Sequence, residues 1–192
     1  MEYTDTNNEH YLVRSPALSD FDRVKQICED RFGAGYIKKE EFEKWVADAD
    51  FCKVAEYGGT VIGIAYLMPE DVKDLATSLK LSEDYVSRLS GGKKVIHCRC
   101  GALDDAYERR GVMRVMLEEI LANIRKHGYH AVFAPAWTYN GCTPMAKTLC
   151  QFGFAYIGEK ENLWYGMDGY TCIVCKGPCT CRAAIYQKIF MD

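Results

Sequence analysis

Four cysteines crowd into ten residues late in the chain, as Cys172-Ile173-Val174-Cys175 and Cys179-Thr180-Cys181. With Lys176-Gly177 behind it, the first pair has the C-x-x-C-x-G form of a metal-binding knuckle, whose glycine lets the turn fold back toward the thiolates. A plain strand would point Cys172 and Cys175 to opposite sides, so their convergence requires such a turn. Cys179 and Cys181, two apart, share a face and complete a set of four ligands of the kind tetrahedral zinc takes. Zinc, free thiols and disulfides stay open as readings, with an iron–sulfur centre more remote, and a reducing compartment disfavours disulfides. Cys98 and Cys100 are expected on one face of a strand, while Cys28, Cys52, Cys142 and Cys150 read as small packing residues.

A second group of chemistry-bearing residues lies mid-chain, in Leu103-Asp104-Asp105-Ala106-Tyr107-Glu108-Arg109-Arg110-Gly111-Val112-Met113-Arg114. An apolar strand runs into a glycine-bearing turn that opens a long helix. The first N–H groups of a helix lack partners, and the macrodipole places partial positive charge there. Cations at that end cost about 0.3–1 kcal/mol each where exposed, so Arg109, Arg110 and Arg114 together point to an anion held at the turn. An arginine run that only solubilises the turn is the plain alternative. The segment is no nucleotide P-loop, having no Gly-Lys-Ser/Thr, and it lacks the further glycines of a dinucleotide fingerprint. Gly33-Ala34-Gly35 is excluded from that role because it follows a helix and not a strand.

These residues need elements to carry them. Tyr11–Arg14 reads as a strand, and Ser19 as the N-cap of a helix bearing Phe21, Val24, Ile27 and Cys28. Lys39–Ala47 repeats the helical spacing through Phe42, Trp45 and Val46. Cys52–Tyr57 and Thr60–Leu67, joined by Gly58-Gly59, read as a hairpin stopped by Pro69. Residues 70–90 read as two short helices, Val95–Leu103 as a strand and Gly111–Lys126 as an amphipathic helix. Ala131–Trp137 is then a strand and Pro144–Gln151 a short helix. Short strands at Phe154–Ile157 and Leu163–Tyr165 follow, and a cysteine-bearing hairpin over Tyr170–Phe190 closes the chain. Such an order implies a mixed sheet with helices packed against it, in one domain spanning 1–192 with residues 170–192 as a cysteine-rich appendage.

Composition limits the function classes. The 192 residues are 48% hydrophobic and 27% charged, a globular and not a disordered balance. Lys and Arg number 24 against 27 Asp and Glu, a net charge of −3 that argues against nucleic acid as partner. The longest apolar run, Val61–Met68, is far short of the roughly 20 residues that span a bilayer, and Met1-Glu2-Tyr3-Thr4-Asp5 does not read as an export signal. The expectation is a cytoplasmic protein without a membrane partner.

Glu108-Arg109-Arg110-Gly111-Val112-Met113 resembles the acyl-CoA pyrophosphate loop of the GNAT N-acetyltransferase superfamily, Gln/Arg-x-x-Gly-x-Gly/Ala. Leu12-Val13-Arg14, the Gly59–Gly63 turn and strand start, and Phe152-Gly153-Phe154 resemble the family in the same order, over about residues 11–165. Two positions depart from the pattern: Glu108 replaces Gln or Arg, and Met113 replaces a small residue. The resemblance implies an α/β fold with a mixed, mostly antiparallel sheet flanked by helices. It also implies a splay between the fourth and fifth strands, here Val95–Leu103 and Ala131–Trp137. A pantetheine arm would then bond the edge at Ala102 and Leu103, and the stretch Glu108, Arg109, Arg110, Gly111, Val112, Met113 and Arg114 would hold the diphosphate of acetyl-CoA.

Within that family the expected activity is transfer of an acetyl group to a primary amine, on a small molecule or peptide, by direct attack. His97, six residues before Leu103, stands where related enzymes carry a base; a histidine bonded within the core is the alternative. The family acid position falls on Leu149 or, shifted by one, Cys150, neither a tyrosine. Tyr139 and Asn140 lie beyond the fifth strand as further candidates, Asn140 also as a cofactor contact. The rival function is a non-catalytic acyl-CoA-binding module with a zinc-stabilised recognition hairpin. A homodimer is compatible with the sequence.

Overall fold

The computed structural model describes residues 1–190. Its elements are β1 (Glu2–Thr4), β2 (His10–Arg14), α1 (Phe21–Phe32), α2 (Lys39–Ala47), β3 (Cys52–Tyr57), β4 (Thr60–Glu70), α3 (Val72–Ser78) and α4 (Glu83–Ser90). Then come β5 (Val95–Leu103), α5 (Val112–Lys126), β6 (Ala131–Thr138), α6 (Ala146–Gln151), β7 (Ala155–Glu161) and β8 (Arg182–Ile189). Eight strands form one sheet in the order β1-β2-β3-β4-β5-β6-β8-β7. Every neighbouring pair is antiparallel except β5 and β6.

That exception positions the site. The parallel ladder between β5 and β6 holds only Ile96 to Val132 and His97 to Phe133. Beyond those pairs the two strands continue without one another, as the expected splay requires. The N-terminal strand Glu2–Thr4, unforeseen in the sequence, shifts the count by one, so the splayed pair is β5 and β6. Two polar residues and one aromatic gave that stretch no readable period; its hairpin is closed by the Asp5 carboxylate, which accepts from the Asn7 and Glu9 amides at 2.8 and 2.9 Å.

Core packing follows the expected faces. From α5, Val112, Met113, Met116, Leu117, Ile120, Leu121 and Ile124 are buried, each contributing about 1.5–3 kcal/mol if fully removed from water. From α1, Val24, Ile27 and Cys28 are buried, and from α2, Phe42 and Trp45. On β4, Gly63 leaves room for the Leu103 side chain, whose Cδ2 lies 2.3 Å from where a Cβ would stand.

Several expectations are corrected. The start of the first helix is organised by Asp20 and not Ser19: its carboxylate accepts from the Ala17 amide at 2.7 Å and pairs with Arg14. Pro69 does not stop its strand, which runs to Glu70 with Pro69 opposite Ile96. The Leu67 amide points to the β3 side, toward the Phe51 carbonyl, and Pro69 faces the same way past the end of β3, so its missing N–H leaves no bond unmade. Leu163–Tyr165 is a turn entered through left-handed Asn162, and the preceding strand is longer than expected, Ala155–Glu161. Of the expected C-terminal hairpin only Arg182–Ile189 is strand; residues 170–181 form turns, and Met191 and Asp192 lie outside the described residues.

Candidate acyl-CoA cleft and cysteine cluster

At the head of α5 the chain builds a concave row of amides. Asp104 caps a 3-10 turn over Asp105–Tyr107 by accepting from the Ala106 amide at 3.0 Å. Arg109 and Gly111 then take left-handed φ values of 60° and 87°. Among the described residues the amides from Arg109 to Arg114 have no acceptor, and helix bonding starts with Val115 to the Gly111 carbonyl. Amides freed in this way, at the positive end of a helix, have the arrangement that suits an anion.

The arginines divide by what they already hold. Arg109 is exposed, and Arg114 is exposed with a 2.9 Å bond to Glu118. Arg110 is committed to Asp5 and Glu9 of the N-terminal hairpin and lies 4.9 Å above the Tyr107 ring, so its guanidinium is not free for phosphate. The Glu108 carboxylate is met at 2.9 Å by Arg31 of α1, which also pairs with Asp105. Arg31 stands 77 positions earlier in the chain, and nothing local marks that pairing.

Along β5 the backbone alternates. Asp104 donates to the Ile62 carbonyl and Ala102 stands opposite Ile64, so Ala102 turns its backbone groups to β4. Gly101 and Leu103 turn theirs to the open side. Of the two predicted arm residues, Leu103 therefore lies on the splayed edge and Ala102 does not. The Leu103 carbonyl accepts from Arg31 Nε at 2.7 Å, and the Arg99 carbonyl from the Tyr36 hydroxyl at 2.9 Å. Phe32 bridges toward the other strand, 4.3 Å from Tyr36 and 6.3 Å from Trp137 of β6 between ring centroids.

A bulge reshapes the middle of β5. Tyr66 pairs with Cys100 and Leu67 with Cys98, so Arg99 is an extra residue. The bulge breaks the alternation expected to put Cys98 and Cys100 on one face. Cys100 instead packs against α1, its sulfur 3.7 Å from that of Cys28. Arg99 bonds Glu41 at 3.2 Å, and together with Tyr36, Trp45, Trp164 and Met167 these residues line a cavity of about 20 Å³, room for one water. A larger cavity of about 260 Å³ lies apart from the cleft, beside Lys80, Leu163 and Tyr165.

His97 is 3% exposed, with Nδ1 2.9 Å from a Glu70 oxygen. Burial lowers its pKa, partly opposed by the Glu70 bond. It lies where β5 and β6 are still paired, below the open edge. Cys150 is exposed on α6, Leu149 is buried, and Asn140 is exposed in the turn closed by Tyr139 and Cys142. The structure does not bring Cys150 or Asn140 into contact with His97.

The four late cysteines do converge. Their sulfurs all lie within 4.8 Å of one another, with Cys172 to Cys181 at 3.9 Å and Cys175 to Cys181 at 3.5 Å. The knuckle turn is closed by the Cys172 amide donating to the Gly177 carbonyl and the Lys176 amide to the Cys172 carbonyl, both at 2.9 Å. Bonds from the Thr180 hydroxyl and amide hold the Cys175 thiol down at about 7, below its usual range. None of the ten cysteines is joined in a disulfide.

With the amide cradle, the splayed strands and the bulge in place, comparison with known proteins is decisive. The model of the acetyltransferase (GNAT) family matches residues 21–154, most of the chain. The chain belongs to the GNAT family. Its fold is similar to that of Arabidopsis thaliana Naa50 in complex with a bisubstrate analogue, CoA-Ac-MVNAL, at 14% identity and TM-score 0.66, over 94% of this chain and 99% of that one. An N-acetyltransferase from Staphylococcus aureus Mu50 matches at 18% identity and TM-score 0.63, over 93% and 98%. A mosquito arylalkylamine N-acetyltransferase-like protein matches at 15% identity and TM-score 0.62, over 94% and 100%. No curated protein matches this sequence significantly. By family this GNAT chain is an acyl-CoA-dependent N-acetyltransferase. Among the described residues no helix is long and apolar enough to cross a membrane.

Proposed function

We propose that this GNAT chain transfers the acetyl group of acetyl-CoA directly to the primary amine of a small molecule or peptide. The observation that carries the reading is the row of unpartnered amides from Arg109 to Arg114, set beside the open edge of β5. The amides would receive the diphosphate, and Gly101 and Leu103 the pantetheine arm. In transfer, the amine nitrogen attacks the thioester carbonyl, its proton passes to a base, and collapse of the tetrahedral intermediate expels the coenzyme A thiolate, which takes up a proton.

For the base we assign the His97–Glu70 pair, which stays neutral at the imidazole because burial opposes its charging. For the acid, the exposed Cys150 has no support from its position. Tyr36 is better placed, its hydroxyl on the Arg99 carbonyl at the open edge and kept protonated by burial. Zinc is the fitting ion for the four late thiols, because a soft tetrahedral S₄ set is its preferred structural site. We read the enzyme as cytoplasmic and compatible with a homodimer, and the net charge of −3 supports a reading without a nucleic-acid partner.

Thiol release from acetyl-CoA across a panel of small amines and peptides tests the activity. Release that depends on amine, and falls at least tenfold in Tyr36→Phe with little change in KM, fits the assignment. Acetyl-CoA binding without release to any amine would leave the transfer step unsupported.

A further inference from the structure

Gly33 and Gly35, which the sequence left without a role, lie under the cysteine cluster. An added Cβ on Gly33 would stand 2.0 Å from the Thr171 carbonyl oxygen and 2.7 Å from the Ile173 nitrogen; one on Gly35 would stand 2.1 Å from the Gly169 carbonyl oxygen. Both glycines also have left-handed φ, 122° and 75°. The missing side chains let residues 169–173 lie directly on the turn between α1 and α2. That contact is hydrogen-bonded along its length: Thr171 donates to the Ala34 carbonyl and Ile173 to the Phe32 carbonyl, both at 2.9 Å. The Tyr170 hydroxyl adds a bond to the same Phe32 carbonyl at 2.8 Å. Cys172 sits between the two donating amides. The strap is therefore fastened at its middle by one of the four clustered thiols.

The cluster has the dimensions of a closed metal site. Ligands about 2.3 Å from a tetrahedral ion stand about 3.8 Å apart, and two of the sulfur pairs measure 3.5 and 3.9 Å. That spacing is too tight for cysteines arranged around a cluster of several irons, and it fits a single ion. A second observation points the same way. The Trp137 indole nitrogen is buried against the cysteine cluster and faces the Cys181 sulfur, with no well-formed hydrogen bond among the described residues. A thiolate at Cys181 would give that donor a charged acceptor. Binding takes the cysteines as thiolates and releases their protons to solvent.

We infer that a zinc ion held by Cys172, Cys175, Cys179 and Cys181 is the clasp of this strap, and that the clasp fixes the α1–α2 turn as the acceptor-side wall of the cleft. The inference rests on the acetyltransferase reading for the name of that wall. The turn it fixes carries Phe32 and Tyr36, which reach Trp137 and the Arg99 carbonyl at the bulge. The diphosphate cradle at the head of α5 is built from other residues. Emptying the metal site should thus loosen amine binding and spare acetyl-CoA.

The test uses the full chain, purified without added metal or chelator. Zinc freed by a mercurial and read with a chromophoric chelator should amount to one per chain. Exchange for Co²⁺ should give the intense thiolate charge-transfer and tetrahedral d–d bands of an S₄ site, weakened in Cys175→Ser. On removal of the metal, the Thr171 and Ile173 amides should lose hydrogen-exchange protection and the amine KM should rise about tenfold, while the acetyl-CoA Kd stays within about twofold. Gly33→Ala keeps all four ligands and breaks the contact, so it should retain the cobalt spectrum and reproduce the loss of protection and the rise in amine KM. Absence of the cobalt bands, or metal removal that leaves protection and amine KM unchanged, would overturn the clasp. Failure of acetyl-CoA to bind with the metal in place would strike the acetyltransferase reading instead and leave the metal site standing.

Discussion

The Arg31 guanidinium reaches from the last turn of α1 to the Leu103 carbonyl, 2.7 Å away, and with its other arm meets Glu108 at 2.9 Å. One side chain thus caps the open strand edge and neutralises the carboxylate that departs from the family loop. Arg31→Ala should weaken acetyl-CoA binding about two- to fivefold, since the pair is partly exposed and screened. Removing the carboxylate as well, in Arg31→Ala/Glu108→Gln, should recover most of the loss. A double-mutant cycle by calorimetry checks this, and additive losses would mean that the two residues act independently.

Arg110 behaves differently. It ties the turn to the β1–β2 hairpin through Asp5 and Glu9. Arg110→Gln should lower the melting temperature and leave acetyl-CoA affinity within about twofold. Arg109→Gln, at an exposed position beside the amide cradle, should do the reverse. Denaturation and binding measured on both variants separate the roles.

Burial holds the His97 pKa below its ordinary value near 6.5. The unfolded chain therefore takes up that proton at higher pH than the folded chain. The stability linked to a neutral His97 is full above about pH 6.5 and is lost as pH falls toward the lowered folded value. His97→Gln should accordingly lose less stability than the parent between about pH 7 and pH 5. Melting curves across that range would show parallel slopes if His97 did not contribute.

How far the sequence could be read depended on whether a feature was local. The α5 stripe, the Gly58-Gly59 turn and the buried strand at Ala131 were legible because 3.6- and 2-residue periods report burial directly. So was the glycine-bearing turn with its row of free amides, since Gly111 and the helix start adjoin in the chain. Arg31, Tyr36 and Glu70 were not, because each meets its partner across 27 to 72 positions. Gly33 and Gly35 were legible as glycines but not as a seat for residues 169–173, which only the folded chain brings there. The bulge at Arg99 likewise leaves no mark in an alternation pattern, and it moved Cys98 and Cys100 apart.

Gly63 offers a packing test behind the open edge of β5. A Cβ there would collide with the Leu103 side chain at 2.3 Å. Gly63→Ala should cost about 1–3 kcal/mol by overpacking, and pairing it with Leu103→Val should recover part of that. Urea denaturation of the single and double variants decides it; an undisturbed single variant would mean that Leu103 has another place to go.

The central claim is that the amides at the head of α5 grip the diphosphate of acetyl-CoA, and isothermal calorimetry tests it most directly. The parent chain should bind acetyl-CoA with measurable heat, and Gly111→Trp, which places an indole at the cradle, should abolish that heat while the chain still melts cooperatively. Absence of heat with acetyl-CoA and other coenzyme A derivatives at high concentration, or undiminished binding by the folded Gly111→Trp variant, would contradict it.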